Sequence, residues 1–129
     1  MNELYKAISE LTFASFCSEI TLQDETTLEF KIKYHFHSNR KGEIFAIQKT
    51  EDGLLVSDKG STLANLDDIF NLSELEVIRN LVMISKQFNI SKSGNVLSSS
   101  VDLSKEVPPQ IIRFLQGIHF MYTMKLFYK

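Results

Sequence analysis

From Thr26 to His37 the chain alternates with period two. Leu28, Phe30, Ile32, Tyr34 and Phe36 stand against Thr27, Glu29, Lys31, Lys33, His35 and His37. Successive side chains of a strand point to opposite sides, so this spacing collects the apolar set on one face and the charged set on the other. A chain containing such a segment must bury one face of a sheet and leave the other to water.

The segments that follow supply neighbours for that strand. Ser38-Asn39-Arg40-Lys41-Gly42 is turn chemistry, and Glu43 to Lys49 reads as a second strand. Asp52-Gly53 is a hairpin signal into a third, Leu54-Leu55-Val56-Ser57. Asp58-Lys59-Gly60-Ser61 ends it, and Ser61 or Thr62 can cap a short helix through Leu63, Leu66, Ile69 and Phe70. Ser73 and Glu76 have capping-box spacing, with Leu72 and Val77 at staple positions. They predict a helix to about Phe88 whose inner stripe is Ile78, Leu81, Val82, Ser85 and Phe88. Residues 90–102 read as a hairpin turning at Ser93-Gly94-Asn95, its second strand weakened by Ser98-Ser99-Ser100. Ser104 caps a turn, Pro108 and Pro109 suit a first helical turn, and residues 110–128 form a last helix. Upstream, residues 2–17 place Leu4, Ala7, Ile8, Leu11 and Ser15 on one stripe behind Asn2, as an amphipathic helix would. The expectation is one α+β domain spanning residues 1–129. Its antiparallel sheet is a three-stranded meander plus a later hairpin, packed against an N-terminal helix, two central helices and a C-terminal helix.

Composition narrows the function classes. The chain has 129 residues, few enough for one core, and 14 Lys+Arg against 16 Asp+Glu leave a net charge of −2. A near-neutral chain does not bind phosphates by charge excess, although a local patch still can. The lone Cys17 can form no intramolecular disulfide, which suits a reducing compartment. Residues 1–19 carry Glu3 and Glu10 and do not look like a signal peptide, and no apolar run is long enough to span a membrane. A cytoplasmic location with no membrane partner is expected.

Three strings carry a family likeness: Phe16-Cys17, the segment from Asp52 to Leu66 (DGLLVSDKGSTLANL), and Phe114-Leu115-Gln116-Gly117-Ile118. Together they resemble the bacterial and prophage-associated domain of unknown function 1828, over most of the chain. The resemblance implies a small cytoplasmic domain of bacterial or phage origin and assigns no catalytic roles.

Four sets of residues could carry chemistry. Asp58, Gly60 and Ser61 lie where a strand hands over to a helix, a place where backbone amides can meet an anion, but the same residues suit an ordinary turn. Lys31, Lys33, His35 and His37 on the strand face, with Arg40 and Lys41 beyond it, form a basic ridge for an anion or nucleic acid, or else a solvated edge. Glu29-Phe30-Lys31 has the spacing of a metal-dependent nuclease, which would need a further acid such as Asp58. No metal site and no cofactor is expected from the spacing of His, Cys and acidic residues. Finally, the last helix carries Ile111, Leu115, Ile118, Tyr122 and Leu126 on one stripe and Phe120, Met124 and Phe127 on nearly the opposite side. A helix apolar on most of its circumference is enclosed by its own domain or covered by another chain. The expected function is binding of a protein partner, or self-association as a homodimer through Phe120, Met124 and Phe127. The alternative is a nucleic-acid-binding or metal-dependent nuclease-like protein using the basic strand face.

Overall fold

The computed structural model describes residues 17–32, 44–51 and 53–124. Six strands form one sheet: β1 (Cys17–Leu22), β2 (Thr27–Ile32), β3 (Ile44–Lys49), β4 (Leu54–Ser57), β5 (Ser91–Ser93) and β6 (Val96–Val101). Among the described residues three helices accompany them: α1 (Ser61–Asp67), α2 (Leu75–Gln87) and α3 (Val107–Thr123). The strand order is β1-β2-β3-β4-β6-β5, and every neighbouring pair is antiparallel. The α+β class, the meander and the later hairpin are as expected. Pairing of β4 with β6 joins the two into one sheet, with Val56 opposite Ser99.

The first correction is β1. The N-terminal helix was expected to run through Cys17, but Cys17 opens a strand, and the rest of that helix lies outside the described residues. Ile20 pairs with Phe30 and Leu22 with Leu28, so the period of two begins before Thr26. The turn between β1 and β2 is made by Asp24, whose Oδ1 accepts from the Thr26 amide at 2.7 Å, the Thr26 hydroxyl at 2.8 Å and the Thr27 amide at 2.9 Å. These bonds, the Thr26 amide foremost, hold the Asp24 carboxyl below its ordinary range.

Strand alternation sets the core. Leu28, Phe30 and Ile32 face inward from β2, and Phe45, Ile47, Leu54 and Val56 continue that face across β3 and β4. Phe30 stacks on Phe45 across the strand pair, with centroids 5.7 Å apart, and Phe45 meets the edge of Phe114 from α3 at 6.2 Å. Helices α1 and α3 lie against β6, and α2 packs on α3. The serine run is no weakness here, because β6 runs between β4 and β5 and Ser99 Oγ donates to the Asn89 carbonyl at 2.9 Å.

Helix α2 departs from expectation twice. Its capping box does not form: Ser73 is captured by Asn71, whose Oδ1 accepts from the Ser73 hydroxyl at 2.6 Å and amide at 3.1 Å. The helix therefore starts at Leu75, with Glu74 as an extended N-cap making no side-chain cap bond. The inner stripe is Val77, Leu81, Ile84 and Phe88, not one centred on Ile78 and Val82, which are exposed. Both sets have helical spacing, and packing on α3 selects between them. The end of α2 is as expected. Asn89 takes φ of 60°, and the Ile90 amide reaches back to the Ser85 carbonyl at 2.7 Å, so the helix stops and feeds β5.

Helix α3 presents Ile111, Leu115, Ile118 and Tyr122 inward as expected, joined by Phe114 and Met121. Gly117 is where α2 closes on α3. A β-carbon there would lie 2.7 Å from Phe88 Cβ and 2.6 Å from Ile90 Cδ1. Arg113 Nη2 ties the same junction by donating to the Gln87 carbonyl at 2.8 Å. Before α3, Asp102 Oδ1 rather than Ser104 organises the turn. It accepts from the Ser104 hydroxyl at 2.7 Å and amide at 2.9 Å, and these bonds hold its carboxyl below the ordinary range.

Candidate functional site

The Asp58 turn sits at the carboxyl end of β4, where the sheet gives way to α1. Asp58 is fully buried. Its Oδ1 accepts from the Gly60 amide at 2.8 Å and the Leu97 amide at 3.0 Å, and its Oδ2 from the Thr62 amide at 3.2 Å. The Asp58 amide donates to the Leu97 carbonyl at 3.1 Å. The side chain thus stands in for the backbone carbonyl in the ladder with β6. That leaves the Asp58 carbonyl to accept from the Ser61 amide at 3.2 Å and hydroxyl at 2.9 Å.

The expected Ser61 or Thr62 cap is therefore replaced by a carboxyl group that ends a strand and starts a helix together. Lys59 and Gly60, with φ of 57° and 87°, make the reversal, and Gly60 does so without the steric cost of a β-carbon. The Gly60, Ser61 and Thr62 amides at this corner, which could meet an anion, are held by Asp58. Thr62 is also fully buried, and its hydroxyl alone among the buried side-chain oxygens and nitrogens of the described residues lacks a hydrogen-bond partner.

Glu29 does not approach Asp58. Strand alternation turns Glu29 to the face away from Leu28 and Phe30, whereas Asp58 continues the inward parity of Val56. Glu29 is held by the Lys59 ammonium on one oxygen and by Gln23 Nε2, at 3.1 Å, on the other. Lys31 lies exposed on the same outer face, beside a shallow depression lined by Thr21, Glu29, Phe30, Lys31 and Ile44. Lys33, His35, His37, Arg40 and Lys41, the rest of the basic ridge, lie outside the described residues. Among the described residues no three of His, Cys, Asp and Glu gather to hold a metal ion. No described helix is long and apolar enough to cross a membrane.

The apolar stripe proposed on the last helix is divided. Phe120 is 50% exposed, and its ring lies 5.4 Å from that of Phe88. Met124 is 4% exposed and belongs to the core, because it follows the buried Gly117 and Met121 at helical spacing, i, i+4 and i+7. Phe127 lies outside the described residues.

A different apolar face stands open, on α2. Leu75 is 60% exposed, Ile78 40%, Val82 47% and Met83 59%. Successive helical residues turn by about 100°, which places Leu75, Ile78 and Val82 on a separate stripe, about 120° around the helix from the buried stripe of Val77, Leu81, Ile84 and Phe88. Sequence reasoning named Ile78 and Val82 but assigned them to the core. The signal it passed over was the second stripe, Val77-Leu81-Ile84-Phe88, spaced i, i+4, i+7 and i+11.

The family model for the domain of unknown function DUF1828 matches residues 32–120, from the last residue of β2 to the Phe120 turn of α3. No curated protein and no solved structure matches the chain.

Proposed function

From the premise that this chain belongs to the DUF1828 family, we propose that it works by binding another protein, through the outer face of α2, rather than by catalysis. One observation carries the reading: Leu75, Ile78, Val82 and Met83 stand exposed on a helix whose other apolar stripe is already buried. Single exposed apolar residues are ordinary on protein surfaces, but several on one helical face mark a docking surface. The two acids with a catalytic reading support it from the other side. Asp58 is consumed by backbone amides and Glu29 by Lys59 and Gln23, on opposite faces of the sheet.

The test places a photocrosslinking amino acid at Val82 and, as a control, at exposed Glu51, in the producing cell. A discrete adduct formed from position 82 and absent from position 51 is expected. Illumination that leaves position 82 at the mass of the free chain overturns the reading.

A further inference from the structure

The open face of α2 is not uniformly apolar. Leu75, Ile78 and Val82 occupy positions a, d and a of a heptad, and Arg79 and Lys86 both follow at e, seven residues apart. All five fall within about 100° of arc, with Met83 beyond the two cations. Arg79 and Lys86 are exposed, and neither takes an ion-pair partner among the described residues. The face is therefore an apolar seam with a row of two uncompensated positive charges along one side.

We infer that this seam docks an amphipathic helix whose own apolar stripe is bordered by carboxylates, a deduction that rests on the protein-binding reading above. Charge decides the occupant. A second copy packed antiparallel sets position e against position e, which brings Arg79 of one copy against Lys86 of the other, twice over. A parallel pair sets Glu74, at g, near Arg79, but leaves Lys86 opposite Leu81, and each copy offers only three seam residues. An acidic helix satisfies both cations in one register, while its apolar side chains cover Leu75, Ile78 and Val82. A groove of this length suits one helix of three to four turns, read through anchors at i, i+3 and i+7. The two charges then act mainly as selectors, since opposite charge speeds encounter and like charge rejects the wrong partner.

The experiment uses the full chain and three fluorescein-labelled synthetic peptides. The first is a four-turn helix with Leu at a and d and Glu at e and g. The second replaces every Glu by Lys, and the third scrambles the first so that no seam remains. Fluorescence anisotropy at low salt is expected to give saturable binding of the Glu peptide, at least about tenfold tighter than either control. Arg79→Glu with Lys86→Glu should weaken that binding about tenfold or more and create binding of the Lys peptide. Val82→Asp should abolish binding, while Lys92→Glu with Lys105→Glu, distant in sequence, should leave it unchanged. Circular dichroism confirms that each variant is folded, and the gain of Lys-peptide binding is a readout that a misfolded variant cannot give.

Equal binding of the Glu and Lys peptides, both lost in Val82→Asp, overturns the acidic partner while the protein-binding reading stands. A wild-type dimer by light scattering that Val82→Asp dissociates also overturns it, in favour of a second copy. No binding of any peptide, with no crosslink from position 82, overturns both.

Discussion

The Asp58 corner and the outer face of α2 are opposites. The first is polar and buried, and each oxygen of Asp58 has a partner. The second is apolar and exposed, with two cations that take no ion-pair partner among the described residues. A motif-like string of Asp, Gly, Ser and Thr attracts a functional reading, yet its carboxylate is committed to ending one element and beginning the next. The face that no motif marks is the one with interactions left to give. The contrast teaches that unspent capacity for interaction is a better guide to function here than the presence of reactive residue types.

Substitutions can test each side of the contrast. The largest effect is expected from Asp58→Ala, which leaves the amides of Gly60, Thr62 and Leu97 without their acceptor. Buried donors lose about 1–3 kcal/mol each when left unmet, so a total loss of about 3 kcal/mol or more should appear in urea unfolding. Full stability in that variant would show that the corner is not what joins β4 to α1. Gly117→Val comes next, because its side chain must enter space held by Phe88 and Ile90, and overpacking of this kind costs about 1–3 kcal/mol. The same unfolding curve measures it, and an unchanged midpoint would mean that α2 can move away from α3 freely.

Thr62→Val removes a buried hydroxyl that lacks a hydrogen-bond partner and keeps the side-chain shape. It should be neutral or stabilising by up to about 1 kcal/mol, and a clear loss would reveal a hydrogen bond that Thr62 makes. Ile78→Ser should change stability by no more than about 0.5 kcal/mol, as exposed positions generally do, while weakening the Glu peptide. A large loss of stability would return Ile78 to the core and erase the comparison.

The smallest effect concerns pH. Asp102 has its carboxyl held below the ordinary aspartate value by the Ser104 hydroxyl and amide, so it binds protons less readily folded than unfolded. Its contribution is present above that value and fades as pH falls through the lower folded value. Asp102→Asn should therefore flatten the acid limb of the melting temperature against pH by slightly lowering its neutral end, leaving the acid end nearly unchanged.

How far the fold was legible follows from the kind of signal each element carried. The strand at Thr27–Ile32 was plain because its polar and apolar residues alternate without exception, and β4 because turn residues bracket it. Strand β1 was hidden behind a helical pattern running into Cys17, and its turn depended on one aspartate gathering the Thr26 and Thr27 amides. The phase of α2 was not legible at all. From Leu75 to Ile84 seven of its residues are apolar (Leu75, Val77, Ile78, Leu81, Val82, Met83 and Ile84), so two stripes fit the period equally well.

Local patterning thus determined which segments are strands and helices and the order in which they come, because those preferences reside in neighbouring residues and in the spacing of side chains along one element. Tertiary structure alone decided that β4 pairs with β6, that Asp58 serves as a backbone acceptor, and that Gly117 is a crossing point. It also decided which face of α2 meets water. Each of these depends on residues far apart in the chain arriving at one place, and periodicity gives an element two sides without saying which of them another element will cover.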